Sequence, residues 1–213
     1  MIVPVLTIAL ATAALRRGEV VAYPTETFYG LGALPTDREA LLRLIALKRR
    51  DEGKPISLIL GRMEMLSTVA TTLTPAIVRL ISLAWPGPLT VVVPARPEVD
   101  PIITGGTDTV AVRVPSHAEA RILADAAGGV ITATSANQQG STPPTTADEV
   151  REQFPEGIAG IVGGEPTTGG APSTLVRPQG RQLIILRSGV ITPGTLREWW
   201  SGEVIEAGGG SGA

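Results

Sequence analysis

Cysteine is absent from these 213 residues. That excludes disulfide staples, a thiolate nucleophile and any cysteine metal site. Histidine occurs once, at His117, so a histidine-rich metal centre is excluded and no Ser-His-Asp arrangement can be defended. Charged residues are scarce, at 18%, while hydrophobic residues make up 43%. That balance excludes a disordered chain. No apolar run approaches the roughly 20 residues that span a bilayer. The N-terminal stretch is apolar, yet no basic residue precedes it, and Arg16 and Arg17 follow it. It reads as a core helix ending at Gly18 and not as a secretory leader. The expectation is a soluble cytoplasmic protein with no membrane partner. Net charge is only −2, so no global field draws in nucleic acid, and an anionic ligand must be held by local cations.

Lysine is scarce as well. The chain has two, Lys48 and Lys54, against sixteen arginines. Both lie in one stretch, Lys48-Arg49-Arg50-Asp51-Glu52-Gly53-Lys54. It reads either as a solvated helix end with favourable macrodipole charges or as an anion site.

What is present is an alternation of short β-branched runs and helical patterns. Strands are expected at 19–23, 55–60, 89–93, 110–114, 130–134, 158–162, 174–176 and 183–187. Helices are expected over 36–50, from Pro75 to the Trp85-Pro86-Gly87-Pro88 stop, from Ser116 through Ala127, from Thr146 to about Phe154, and over 195–200. Thr36 with Glu39 and Thr146 with Glu149 have capping-box spacing. Alternation early and crowded strands late predict a single-domain α/β fold with a mixed parallel and antiparallel sheet. One domain over 1–200 is expected, with a flexible tail over 201–213.

Four loops can carry chemistry, because loops after strands place functional groups in such folds. Pro24-Thr25-Glu26-Thr27-Phe28-Tyr29-Gly30-Leu31-Gly32 combines hydroxyls, a carboxylate and glycines. It is neither a Walker loop nor a dinucleotide fingerprint, and a plain strand-to-helix turn is the bland reading. The Lys48–Lys54 stretch offers phosphate-binding cations. Thr134-Ser135-Ala136-Asn137-Gln138-Gln139-Gly140 offers hydroxyl and amide donors, or a turn capping a strand. Arg113 lies inside a valine-rich strand, where burial is costly without a partner. It needs either an ion pair or an anionic substrate, with the segment from Gly169 to Thr174 and Arg187 as companions. Cations, hydroxyls and glycines without an activated nucleophile suit phosphate positioning and electrostatic stabilisation.

These pieces, in order, resemble the YrdC-like family of threonylcarbamoyl-AMP synthases. They are YPTETFYGLG at 23–32, Lys48 and Arg50, WPGPLT at 85–90, TVAVRVP at 109–115, SAN at 135–137 with Gly140, STLV at 173–176 and LRSG at 186–189. The resemblance covers roughly 15 to 195 and implies the short, TsaC-type form without an added C-terminal domain. It implies a twisted sheet around a concave, positively charged cavity. It also implies a reaction: ATP, L-threonine and bicarbonate give threonylcarbamoyl-AMP and pyrophosphate, for transfer by downstream proteins to an adenosine of tRNA. Carried over by position, Thr27, Arg113 and Ser173 would contact threonine. Lys48, Arg50, Lys54, Thr109, Ser135, Asn137 and Arg187 would line the ATP site, with Lys48 and Arg50 catalytic. Mg2+ is expected with the triphosphate.

Three positions depart from the family pattern. Gln139 replaces a serine, Pro143 stands where many members have a phosphate-contacting serine, and 57–60 lacks a histidine found in some members. Two other readings stand beside the synthase: a paralogue acting on another acyl- or carbamoyl-adenylate, and a double-stranded RNA or tRNA-binding module.

Overall fold

The computed structural model describes residues 2–49, 51 and 53–207. The chain begins with β1 (Val5–Leu6) and α1 (Ile8–Arg16), which Thr7 caps by accepting the Leu10 N–H. β2 (Val21–Tyr23) and β3 (Gly30–Gly32) form a hairpin around the first candidate loop. α2 (Arg38–Lys48) follows, then β4 (Leu58–Leu60), a 3-10 turn at Met63–Met65, α3 (Leu66–Val69) and α4 (Pro75–Ala84). Proline at the start of α4 suits the first helical turn, where its missing N–H costs nothing. The second half supplies β5 (Leu89–Pro94), α5 (Pro101–Thr104), β6 (Thr109–Arg113), α6 (Ala118–Ala126), β7 (Val130–Thr132) and β8 (Thr134–Ser135). α7 (Ala147–Gln153), β9 (Gly160–Val162), β10 (Thr174–Gln179), β11 (Gln182–Arg187), α8 (Pro193–Trp199) and β12 (Glu203–Glu206) complete the chain.

The strands form two mixed sheets. One has the order β1-β9-β2-β3-β8, the other β12-β11-β10-β5-β6-β4-β7. β7 and β8 are consecutive, so the chain passes from one sheet to the other at Ala133. Thr132 fixes that passage. It belongs to β7 opposite Leu58, yet all its polar groups reach the other sheet. Its N–H donates to Ala33 O at 3.0 Å. Its hydroxyl accepts from Ala33 N at 2.9 Å and donates to Leu31 O at 3.1 Å. Its carbonyl accepts the Tyr23 hydroxyl at 2.7 Å.

Tyr23 is fully buried over Gly30 and Gly32, where an added Cβ would lie 3.1 Å from its ring. Two glycines therefore let the aromatic ring close on β3. Burial pushes the phenol above its usual range, which keeps it a donor. On the outer face, α1 and α6 approach through Ala11, Ala14, Ala120 and Ala124, all at most 1% exposed, over Val21, Ile59 and Ile131.

Several expected boundaries shift. Asp37, not Thr36, caps α2, accepting the Ala40 N–H at 3.1 Å. His117, not Ser116, precedes α6, and it makes no capping bond. The run 130–134 divides at Ala133, whose N–H turns to Ser57 O. Residues 203–206, expected in the tail, form β12 beside β11. The expected fraying of 208–213 lies outside the described residues. The Thr146–Glu149 capping box is present with both of its bonds.

Replacing Thr132 with valine keeps the shape but leaves the buried Ala33 N–H without its acceptor. A loss of about 1–3 kcal/mol in unfolding free energy, read by urea denaturation, is expected.

Candidate functional site

A cavity of about 340 Å³ opens where the two sheets meet. The β2–β3 loop contributes Thr25, Thr27 and Phe28. Ser57 comes from the approach to β4, Thr90 from β5 and Arg113 from the end of β6. Ser135 of β8, Ser173 just before β10 and Arg187 at the end of β11 close the ring.

The first loop holds its hydroxyls rigidly. Thr25 Oγ1 donates to Phe28 O at 2.7 Å and accepts the Thr27 N–H at 3.2 Å. Its proton is thereby used, so in the 3.1 Å contact with Thr25 the Thr27 hydroxyl is the donor. Thr27 therefore offers the cavity acceptor lone pairs. Its carbonyl accepts the Gly169 N–H at 2.7 Å, tying this loop to the glycine-rich segment before β10.

Arg113 is 6% exposed. Its partner is the Glu26 carboxylate, through Nη1 and Oε1, so the ion pair expected for a buried strand arginine exists. Arg187 also lines the cavity and donates to Ser173 O at 2.9 Å and to Ser173 Oγ at 3.0 Å. Burial, and then the neighbouring Arg113 charge, hold its guanidinium below its usual pKa. Thr90 Oγ1 lies 2.9 Å from Ser173 Oγ, so one serine joins β5, β10 and Arg187. Two cations thus share a wall with one nearby carboxylate.

Lys48 is 4% exposed, at the last residue of α2. Its ammonium donates to Ser135 O and, at 2.6 Å, to Asn137 O. It ties the helix end to the loop after β8. Arg49 then takes a left-handed conformation with φ of 50°, turning the chain out of the helix. Non-glycine residues pay about 1 kcal/mol for that region, a strain concentrated at functional turns. Asn137 directs its amide N–H groups to Gln138 O and Ser141 O and leaves a buried Oδ1 without a partner.

The structure thus gathers Thr27, Arg113, Ser173, Ser135 and Arg187 on one cavity, with Lys48 and Asn137 behind its rim. Lys54 stands apart, half exposed and paired with Asp51 at 2.7 Å. Thr109 begins β6 and bonds Thr107, roughly 13 Å of strand from Arg113; it does not line the cavity. Arg50 lies outside the described residues. Pro143 lines the cavity, whereas Gln139 turns to Asp51 at 3.3 Å. From sequence alone Thr90 and Ser57 receive no site role, and Glu26 stands open between a base and a group that orients its loop. Thr90 lay within a quoted motif, and Glu26 within the first loop.

The fold and the site define a two-sheet α/β protein with a cavity lined by hydroxyl side chains and two arginines. A family model named Sua5_yciO_yrdC, described as "Telomere recombination", matches residues 13–189. The chain belongs to that family. It is 45% identical over 162 residues to the threonylcarbamoyl-AMP synthase of Thiobacillus denitrificans, covering 76% of this chain and 86% of that protein. To the Bacillus subtilis threonylcarbamoyl-AMP synthase it is 38% identical over 186 residues, which is 87% of this chain and 54% of that protein. The crystal structure of P. abyssi Sua5 complexed with L-threonine superposes with a TM-score of 0.89 at 36% identity, covering 93% of this chain and 58% of that one. The chain thus spans little more than half of the last two.

Lys48→Met should loosen the loop it holds. Charge-assisted hydrogen bonds contribute about 1.5–3 kcal/mol each. Amide exchange across 135–141 in the nucleotide-free protein is therefore expected to rise about tenfold or more, read by hydrogen–deuterium exchange. A lysine serving only a ligand would leave that exchange unchanged.

Proposed function

We propose that the cavity makes threonylcarbamoyl-AMP and pyrophosphate from ATP, L-threonine and bicarbonate, the nucleotidyl-transfer reaction of an L-threonylcarbamoyladenylate synthase. The observation that carries this reading is the convergence of Arg113 and Arg187 on one cavity, where Arg187 is bonded to Ser173. Two cations on one cavity, of which only Arg113, among the described residues, is buried and paired with a carboxylate, retain an excess positive charge that an anionic substrate neutralises. The names of the relatives, and the threonine bound to the P. abyssi protein, supply the chemical identity of that substrate.

In this reading Thr27, Arg113 and Ser173 take the amino acid. Arg187, Ser135 and Asn137 serve the nucleotide, with Lys48 fixing the loop that carries the last two, and Arg50 and Lys54 belong to the same nucleotide set. Ser173 then matters for a geometric reason. It touches the arginine of the nucleotide set while belonging to the threonine set, which brings the carbamate of one substrate toward the α-phosphate of the other. Holding both in one low-dielectric pocket replaces an encounter in water with a fixed approach. The new bond forms between a carbamate oxygen and the α-phosphorus, and pyrophosphate leaves with the electrons of the broken P–O bond.

Among the described residues, no group of three or more Asp, Glu or His side chains is placed to hold a metal ion. Mg2+ would therefore arrive on the ATP phosphates, which supply hard oxygen ligands themselves. The product would serve tRNA modification through downstream transfer proteins, in the cytoplasm.

The test is mass spectrometry of a quickly quenched reaction containing ATP, Mg2+, bicarbonate and L-threonine. Threonylcarbamoyl-AMP is expected only when all are present. Folded protein that binds ATP yet yields no such product would overturn the reading.

A further inference from the structure

A hydroxyl has one proton to give and two lone pairs to receive with. Counted this way, the contact between Thr90 and Ser173 leaves one proton unspent. Thr90 Oγ1 lies 2.9 Å from Ser173 Oγ, and Arg187 Nη2 donates to the same Ser173 Oγ at 3.0 Å. A guanidinium has no lone pair, so Ser173 receives a bond from Arg187 and gives none. Of the two hydroxyl protons, one lies between the two oxygens. The other has no acceptor among the described residues. Both side chains line the cavity, so the cavity is where that proton meets an acceptor.

The main chain of Ser173 is held without Thr90. The Thr174 N–H donates to Pro88 O at 2.9 Å, and the Thr174 hydroxyl to Ile191 O at 2.8 Å. The Val190 N–H donates to Pro172 O at 3.0 Å. Gly189 closes on the same segment, where an added Cβ would lie 2.7 Å from Ser173 C. These contacts fix where Ser173 stands, but not where its proton points. Thr90 bears on that direction. Arg187 donating into Ser173 Oγ polarises the serine O–H, which makes it the better donor of the pair. An anion in the cavity therefore favours one arrangement: Thr90 donates to Ser173, and Ser173 gives its own proton to the ligand. Both serine lone pairs are then filled, and only a donor faces the ligand.

We propose that Thr90 is a positioning residue for the synthase reaction, turning Ser173 into a one-way hydrogen-bond donor to an oxygen of the bound anion. The inference rests on the reading of this cavity as the synthase site. Thr90 is placed for the task by β5. Its neighbour Val91 pairs with Val112 of β6, so Thr90 and Arg113 are the next positions along those two strands. On its other side Thr90 pairs with Leu175 of β10, two residues after Ser173. It is 3% exposed, so water does not compete freely for its proton.

A competing role is that Thr90 only packs β5. A double-mutant cycle on the rate of threonylcarbamoyl-AMP formation separates the two, using wild type, Thr90→Val, Ser173→Ala and the double variant. Valine keeps the shape and removes the hydroxyl. Thr90→Val is expected to lower kcat/KM about fivefold to tenfold, the size of one hydrogen bond. The same change in Ser173→Ala protein should cost less than about twofold, because the group that Thr90 directs is gone. Thr90→Ser keeps the hydroxyl and should stay within about twofold of wild type. An equal loss from Thr90→Val with and without Ser173 would overturn the proposal in favour of packing. Serine and valine variants impaired alike would overturn it too, and that comparison decides alone where Ser173→Ala is too slow to measure. Should the valine variant fail to fold, Thr90→Ala against Thr90→Ser gives the same comparison. Wild type that binds ATP yet makes no product would instead remove the synthase reading, and this inference with it.

Discussion

The molecule depends on Thr132. One fully buried residue hands four hydrogen bonds from the strand it belongs to, β7, across to β2 and β3 of the other sheet. Those bonds set where two sheets touch, and the next residue, Ala133, is where the chain changes sheets. The cavity lies there because a sheet-to-sheet passage leaves a gap that strand pairing cannot fill. Its walls are strand ends, where backbone groups and short polar side chains are free to face a ligand. A threonine suits this position: its methyl packs as a valine's would, and its hydroxyl both donates and accepts.

The electrostatics of the cavity follow from that placement. Arg113 at the end of β6 and Arg187 at the end of β11 both reach it, and desolvation, then the Arg113 charge, holds the Arg187 guanidinium below its usual pKa. Glu26 offsets one charge. The remaining charge is held by carbonyl and hydroxyl dipoles of Ser173, which stabilise it only in part. Such a site is stable enough to persist yet gains free energy when an anion enters. Preorganisation of this kind is what lets fixed dipoles act on a reacting group without rearranging first.

Much of this was legible in the sequence, for identifiable reasons. Arg113 declared itself by chemistry: an arginine among valines in a strand must have a partner. The hydroxyl-rich loops at Thr25–Thr27 and Ser135 declared themselves by following β-branched runs. The mixed sheet followed from the change in element order along the chain. What sequence could not supply was direction and distance. Glu26 meets Arg113 across 87 positions, and Thr90 meets Ser173 across 83, with no local pattern linking them. Thr109 and Arg113 sit in one contiguous motif, yet strand rise carries them to opposite ends of β6. Thr36 lost the cap of α2 to Asp37 because the two are adjacent and either could have opened the helix. The division of 130–134 at Ala133 is a tertiary event, since the Ala133 N–H finds its acceptor in Ser57 of another segment.

The contrast between two lysines and sixteen arginines gains a physical meaning once Lys48 is located. An ammonium is compact and has three donors arranged around one atom, so it can satisfy two backbone carbonyls from neighbouring residues at once. A guanidinium is planar and wide, and its fork fits carboxylates and phosphates. Lys48 faces the carbonyl oxygens of Ser135 and Asn137, and the arginines face the cavity. The helix end delivers the lysine, and the left-handed Arg49 ends the helix directly after it. At this site the cation that ties the loop is a lysine, and the cations that line the cavity are arginines.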